Sequence, residues 1–180
     1  MTNTTCFYEH TENDFWRFSL SVYSEKRIES LCLILQDVHT LDINELLFAA
    51  WLGRQERKLE LTLLRADQEL TELQAKVLTP LRHARRAMKH IAEASSAYQK
   101  LKLTELSVEQ HIQAYLWCNR NRFSVSKTSE TPAITQQVQE NVLLLWQTPL
   151  DQLAKREAKT PPDELIEFCE WMIRYTTGKI

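Results

Sequence analysis

Apolar side chains recur three or four positions apart through nearly the whole chain, the spacing that lines one face of an α-helix. Only RKLELTLL (57–64) reads ambiguously between helix and strand. The first helix is predicted from Asp14 to Tyr23, capped by Asn13. Phe15, Phe18 and Val22 lie on one side of it, with Trp16, Leu20 and Tyr23 on the adjoining side. Ser24 ends this helix or caps the next, in which Ile28, Leu31, Cys32 and Leu35 form the apolar stripe before Asp37, His39 and Thr40 break the pattern. Asp42 and Glu45 then stand three apart, the spacing of a reciprocal capping box, so a third helix is expected from Ile43. In NELLFAAWLG (44–53) seven apolar residues follow one another, too few for a membrane span of about 20. Arg54, Glu56, Arg57 and Lys58 come directly after. An unbroken run covers every face of a helix, so this one is predicted to be the buried centre of a bundle.

From Leu64 to Ala94 the residues favour helix, and Leu64, Leu70, Leu73, Val77, Leu81, Ala84, Met88 and Ile91 make the expected apolar stripe. Pro80 predicts either a kink in one long helix or a new helix with Thr79 as cap, and two segments meeting at an angle are the favoured expectation. The pattern continues through Leu106, Ile112, Tyr115 and Leu116. A polar stretch, NRNRFSVSKTSETP, then predicts a flexible loop over 119–134. Val138, Val142, Leu145 and Trp146 mark a further helix, and Thr148 with Pro149 can open a short one. Thr160 with Pro161 can open the last, whose buried face is Leu165, Phe168, Cys169 and Met172 and whose end is Gly178. The expected fold is all-α, a compact multi-helix bundle around a buried central helix. Residues 1–13 form a polar arm and 14–180 a single helical domain.

Composition changes this picture mainly by exclusion. With 180 residues, 43% hydrophobic and 26% charged, the chain can build a core without crosslinks or metals. A net charge of −2 supplies no global attraction to nucleic acid or acidic lipid. Cys6, Cys32, Cys118 and Cys169 contain no CxxC pair and suit free thiols in a reducing cytosol. The first residues lack the basic, apolar and small-residue parts of a secretory signal, so a cytoplasmic location is expected. Gly53 and Gly178 are the only glycines, which rules out glycine-rich phosphate loops and dinucleotide fingerprints. No internal repeat or sustained heptad occurs.

FWRFSLSVY, LCLILQD, LDINELLFAAWLG and PLRHARRAMK follow in an order that resembles the bacterial domain of unknown function 2390. The resemblance covers roughly residues 15 to 118. It implies a small cytoplasmic helical protein and brings no activity or catalytic residue with it.

The most concentrated charge is Arg82, Arg85, Arg86 and Lys89, at helical spacing. With Leu81, Ala84, Met88 and Ile91 packing inward, this stripe is expected to face solvent, either to grip phosphate or carboxylate or to pair with acids of the bundle such as Glu69, Glu72 or Glu93. Arg120 and Arg122 beside Phe123 form a smaller basic cluster on the expected loop. Asp42 and Asn44 either serve the helix start or point into an interhelical pocket with Arg85 or Arg86 as partner. Trp16, Trp51, Trp117, Trp146 and Trp171 are expected in the core. The five histidines lack HExxH and ExxH spacing, and no GxSxG is present, so no catalytic residue, cofactor or metal is expected.

Three readings follow. A non-enzymatic interaction protein leads, with a protein partner and an exposed apolar patch. An RNA- or ribosome-associated factor would use the stripe over 82–89. A ligand-binding protein or enzyme would bring Asp42, Asn44 and an arginine together between helices.

Overall fold

The computed structural model describes residues 10–92, 95–126, 133–147 and 160–179. The fold is all-α. Asn13 caps α1 (Asp14–Tyr23) by accepting from the Trp16 amide at 2.9 Å, and α2 (Lys26–Asp37) buries Ile28, Leu31, Cys32 and Leu35. Ser24 ends α1, while Glu25 precedes α2 without a side-chain cap. Asp42 caps α3 (Ile43–Arg54), accepting from the Glu45 amide at 3.0 Å, but Glu45 does not reach back to complete a capping box. Its side chain turns into the protein instead.

Every residue of α3 from Ile43 to Gly53 is buried, as a helix apolar on all faces requires. Its chief neighbour is α8 (Ile134–Gln147), and the approach is closest at Gly53, where an added Cβ would lie 2.5 Å from the Val138 Cα. Asn141 of α8 uses its whole amide: it donates to Ala49 O (3.2 Å) and Arg57 O (2.8 Å) and accepts from the Leu59 amide (3.0 Å) and Gln137 (2.9 Å). That network holds β1 (Lys58–Leu59) against α3 and α8. The ambiguous 57–64 stretch thus divides into this short strand and α4 (Leu61–Arg65).

Asp67 caps α5 (Gln68–Glu72), and the chain then stays helical to Ala92. This corrects the expected break at Pro80. Leu73–Leu78 is a π-helical segment, in which the Thr79 amide bonds back to Gln74 O, and α6 (Thr79–Ala92) follows without interruption. A proline ring collides with the carbonyl four residues earlier in an α-helix, and the wider π turn just upstream relieves that conflict. The segment also adds one residue to the turn count, so the inward positions become Leu78, Arg82 and Arg85 where uninterrupted α-helical counting expects Val77, Leu81 and Ala84. Val77 and Ile91 are accordingly exposed.

Ser95 caps α7 (Ser96–Cys118), which runs back along α6. Residues 119–126, expected as flexible loop, form a turn and then β2 (Ser124–Val125), paired antiparallel with β1, and Phe123 is fully buried. Residues 127–132, like the arm residues 1–9 and the short helix expected at Thr148–Pro149, lie outside the described residues. In α9 (Asp163–Thr176) Leu165, Phe168, Cys169 and Met172 face inward. Beyond it Gly178, at φ +67°, allows its own amide and that of Lys179 to cap the last carbonyls. Side chains from α1, α2, α3, α7, α8 and α9 meet in a single apolar core. Of the tryptophans, Trp16 and Trp51 are buried, while Trp117, Trp146 and Trp171 are half-buried.

One thiol departs from expectation. Cys32 and Cys169 are free and buried, but Cys118 is disulfide-bonded to a partner outside the described residues, which removes part of the argument for a reducing compartment. Among the described residues, no helix is long and apolar enough to cross a membrane.

Replacing Gly53 by alanine forces the α3 and α8 backbones apart. The expected loss is about 3 kcal/mol, at the upper end for overpacking because the obstacle is main chain, read as a lowered urea midpoint with an unchanged m-value.

Candidate functional site

The first turn of α3 is polar yet buried, and it gathers side chains from five other segments. Asn44 and Glu45 retain only 3% and 2% of their exposure. Asn44 Oδ1 accepts from Gln113 Nε2 of α7 at 2.9 Å. Glu45 Oε1 accepts from Gln74 Nε2 of the π turn at 3.1 Å, and Arg65 of α4 places Nη1 2.5 Å from Glu45 Oε2. That last contact is an ion pair off the N–H direction, since neither Glu45 Oε2 nor Arg65 Nε makes an aligned hydrogen bond.

Beside this lies Arg82, the residue that the one-residue offset turns inward. Its Nη2 donates to Glu109 Oε1 at 2.6 Å, Nη1 stands 3.8 Å from Asp42 Oδ2, and Nε stands 3.7 Å from Glu105 Oε1, too far for a hydrogen bond. Arg85 holds Glu105 through Nε and, at 3.2 Å, through Nη2. Glu105, Glu109 and Gln113 follow at four-residue steps, so one line on α7 carries both acids and the amide that meets Asn44. The half-buried Tyr23 of α1, paired with the Cys32 thiol, lies close enough to feel Arg82 and Glu109. At the start of α3, Arg82 links Asp42 and Glu109, and Gln113, one helical turn along α7 from Glu109, bonds to Asn44; these five side chains make up a polar ring.

The electrostatics follow from burial. Desolvation drives the Glu45 carboxyl from 4.5 to about 7, assisted by Asp42 and opposed by Arg65 and Gln74. Glu109 is raised for the same reason against the pull of Arg82. Burial alone would lower Arg82, but Asp42, Glu109 and Glu105 more than offset it and its pKa rises. Burial lifts the Cys32 thiol to about 12, and Tyr23 is raised as well, so neither is an activated nucleophile. Among the described residues, no group of three or more His, Cys, Asp or Glu is arranged to hold a metal ion.

The structure thus redistributes the residues singled out in the sequence. Asp42 does lie near an arginine, but it is Arg82, at 3.8 Å, rather than Arg85 or Arg86, and Asn44 bonds to Gln113 instead. Arg86 pairs with Asp37 of α2 at the surface, and Lys89 is exposed. The basic stripe is therefore not a uniform solvated face: Arg82 and Arg85 look inward and pair with bundle acids, Glu109 and Glu105, while Glu93 lies outside the described residues. Arg120 covers the Trp117 ring at 4.2 Å and donates to Trp117 O, while Arg122 pairs with the buried Asp67 at 2.5 Å. Asp67 also accepts from the Tyr115 hydroxyl at 2.7 Å, so the Arg122 cluster is tied into the frame. Sequence reasoning missed Glu105, Glu109, Gln113, Arg65 and Gln74.

Two measurements check the site. Arg82→Met leaves Asp42, Glu105 and Glu109 facing one another and should cost about 3 kcal/mol in urea unfolding, whereas Arg86→Met, which breaks an exposed pair, should cost under about 1 kcal/mol. Equal effects would show both cations to be solvated. The second concerns pH. With Glu45 at about 7 when folded and near 4.5 when unfolded, the native state binds the extra proton between those values, so stability falls as pH rises through the window. The expected decline from pH 5 to 7.5 is roughly 1–3 kcal/mol, and Glu45→Gln should flatten it.

No curated protein and no solved structure matches this chain. A family model described as a protein of unknown function, DUF2390, matches residues 14–116, a span that contains every residue of the polar ring. The match covers more than half of the chain, and the chain belongs to the DUF2390 family.

Proposed function

We propose that this protein binds a small polar ligand in the seam between the start of α3, α6 and α7. One observation carries the reading. Six buried side-chain polar atoms lack a hydrogen-bond partner among the described residues, and five of them belong to this cluster: Asn44 Nδ2, Glu45 Oε2, Arg65 Nε, Arg82 Nε and Gln113 Oε1. Glu45 Oε2 has its ion pair with Arg65; leaving each of the others unpaired costs about 1–3 kcal/mol, so the remaining four together call for something that completes them.

The other readings draw less support. An RNA-binding stripe needs outward guanidinium groups, and Arg82 and Arg85 are engaged with Glu109 and Glu105. A protein-docking surface calls for contiguous apolar area. The most exposed large apolar residues, Ile91 (82%), Val38 (68%) and Leu103 (66%), sit on α6, after α2 and on α7. Leu103 points about 160° away from Glu105 on the α7 wheel, away from α6, and isolated apolar residues are normal on any surface.

The test is a thermal-shift screen of a polar metabolite set. A ligand at about 100 times its Kd adds roughly 2.7 kcal/mol, which for a chain of this size raises the midpoint by roughly 5–10 °C. The shift should vanish in a double variant, Asn44→Leu with Gln113→Leu, that stays folded by circular dichroism. A set in which no compound shifts the wild type, or in which the double variant responds equally, rejects the proposal.

A further inference from the structure

The ring around Arg82 carries more negative than positive charge, and this bears on what completes it. Asp42, Glu105 and Glu109 supply three carboxylates against the guanidinium groups of Arg82 and Arg85. The open valences are of two kinds. Gln113 Oε1 has no donor and Asp42 Oδ2 receives only a distant contact from Arg82, whereas Asn44 Nδ2 and Arg82 Nε are donors without an acceptor. Asn44 and Gln113 are each 97% or more buried and joined by one hydrogen bond, Gln113 Nε2 to Asn44 Oδ1, with Asn44 two residues from Asp42 and Gln113 one helical turn from Glu109.

Resting on the ligand-binding reading above, we propose that the seam takes a small molecule carrying an ammonium group beside a hydroxyl or carbonyl oxygen. The ammonium donates to Asp42, Glu109 and Gln113 Oε1 and neutralises the surplus charge. The neighbouring oxygen accepts from Asn44 Nδ2 or Arg82 Nε. Asn44, the oxygen's donor, is bonded to Gln113 and stands two residues from Asp42, so the two functions belong close together on the ligand. A carboxylate in the same place would face Asp42, Glu105 and Glu109 and be repelled. A hard divalent cation is also a poor fit, because it needs six or more oxygen ligands and the acids here are shared with the guanidinium groups of Arg82 and Arg85.

The electrostatics at Glu109 favour a cation. Glu109 is raised by its burial, and the groups facing it are Arg82 from α6, Asp42 from the start of α3, Tyr23 from α1 and Glu105 on its own helix. An ammonium group at Glu109 favours its charged form and so opposes the effect of burial on that carboxyl.

Ethanolamine, ethylene glycol and glycolate test this, since they share size and an oxygen and differ in charge. On the full chain at matched ionic strength, each is titrated while the side-chain amide resonances of Asn44 and Gln113 are followed by NMR. Ethanolamine alone should move both resonances saturably, with affinity at least fivefold weaker in Glu109→Gln. If Glu109→Gln fails to fold, the wild-type titrations decide on their own. Equal response to ethylene glycol, or response to glycolate, would overturn the cationic ligand class and leave the ligand-binding reading standing. If none of the three moves the resonances and the metabolite screen is also silent, both fall together.

Discussion

The enclosure of α3 on every side is the constraint from which the rest follows. An apolar run that covers the whole helix circumference can be kept from water only by neighbours all round, and α8, α7, α1 and α2 supply them. The same enclosure takes the first turn out of water, although that turn carries Asp42, Asn44 and Glu45. A buried carboxylate without a partner is among the most expensive groups a fold can hold. Arg65, Gln74, Arg82 and Gln113 converge there because the helix they surround cannot expose its own beginning. Gly53, at the other end, lets α8 come close enough to close the cover.

How much of this was legible in the sequence depends on whether helical counting runs without a slip. In α1, α2, α3, α8 and α9 it does, and Phe15, Phe18, Val22, Ile28, Leu31, Leu35, Val138, Val142, Leu165, Phe168 and Met172 are buried where the spacing places them. Between Leu73 and Arg85 it fails by one residue, because a π turn spends one residue more per turn than the count allows. Pro80 was the visible sign of a departure. A proline in a helical pattern announces that an α-helical carbonyl cannot stay where it is, but whether the chain breaks or widens is decided by what packs against it. Here Leu78 and Arg82 both have interior partners that a break would forfeit.

The candidate site was half legible for the same reason. Asp42 and Asn44 stand out because a polar pair at the head of an apolar helix must be used for something. Arg82 stands out only as one of four cations, and the slip reverses its direction. Glu105, Glu109 and Gln113 carried a readable signal, an acid, an acid and an amide at four-residue spacing opposite the cations at 82 and 85. Judging it needed the antiparallel pairing of α6 with α7, which no local pattern supplies. Glu45 with Arg65 and Gln74 is more remote still, since its partners lie on separate segments joined only through the fold.

Asn141 shows why the seam is not simply loose packing. It too is a buried amide at a helix junction, and both its oxygen and its nitrogen are engaged. The fold is therefore able to satisfy such a group fully. Nor is stability a sufficient reason to keep Arg82 among three carboxylates, because well-packed apolar side chains of similar volume commonly hold a core as well as a buried ion network or better. Polar atoms left open together in one place, with only Thr176 Oγ1 open elsewhere among the described residues, are what a binding site requires. A ligand recognised by hydrogen bonds needs donors and acceptors already held in position and not already spent on each other.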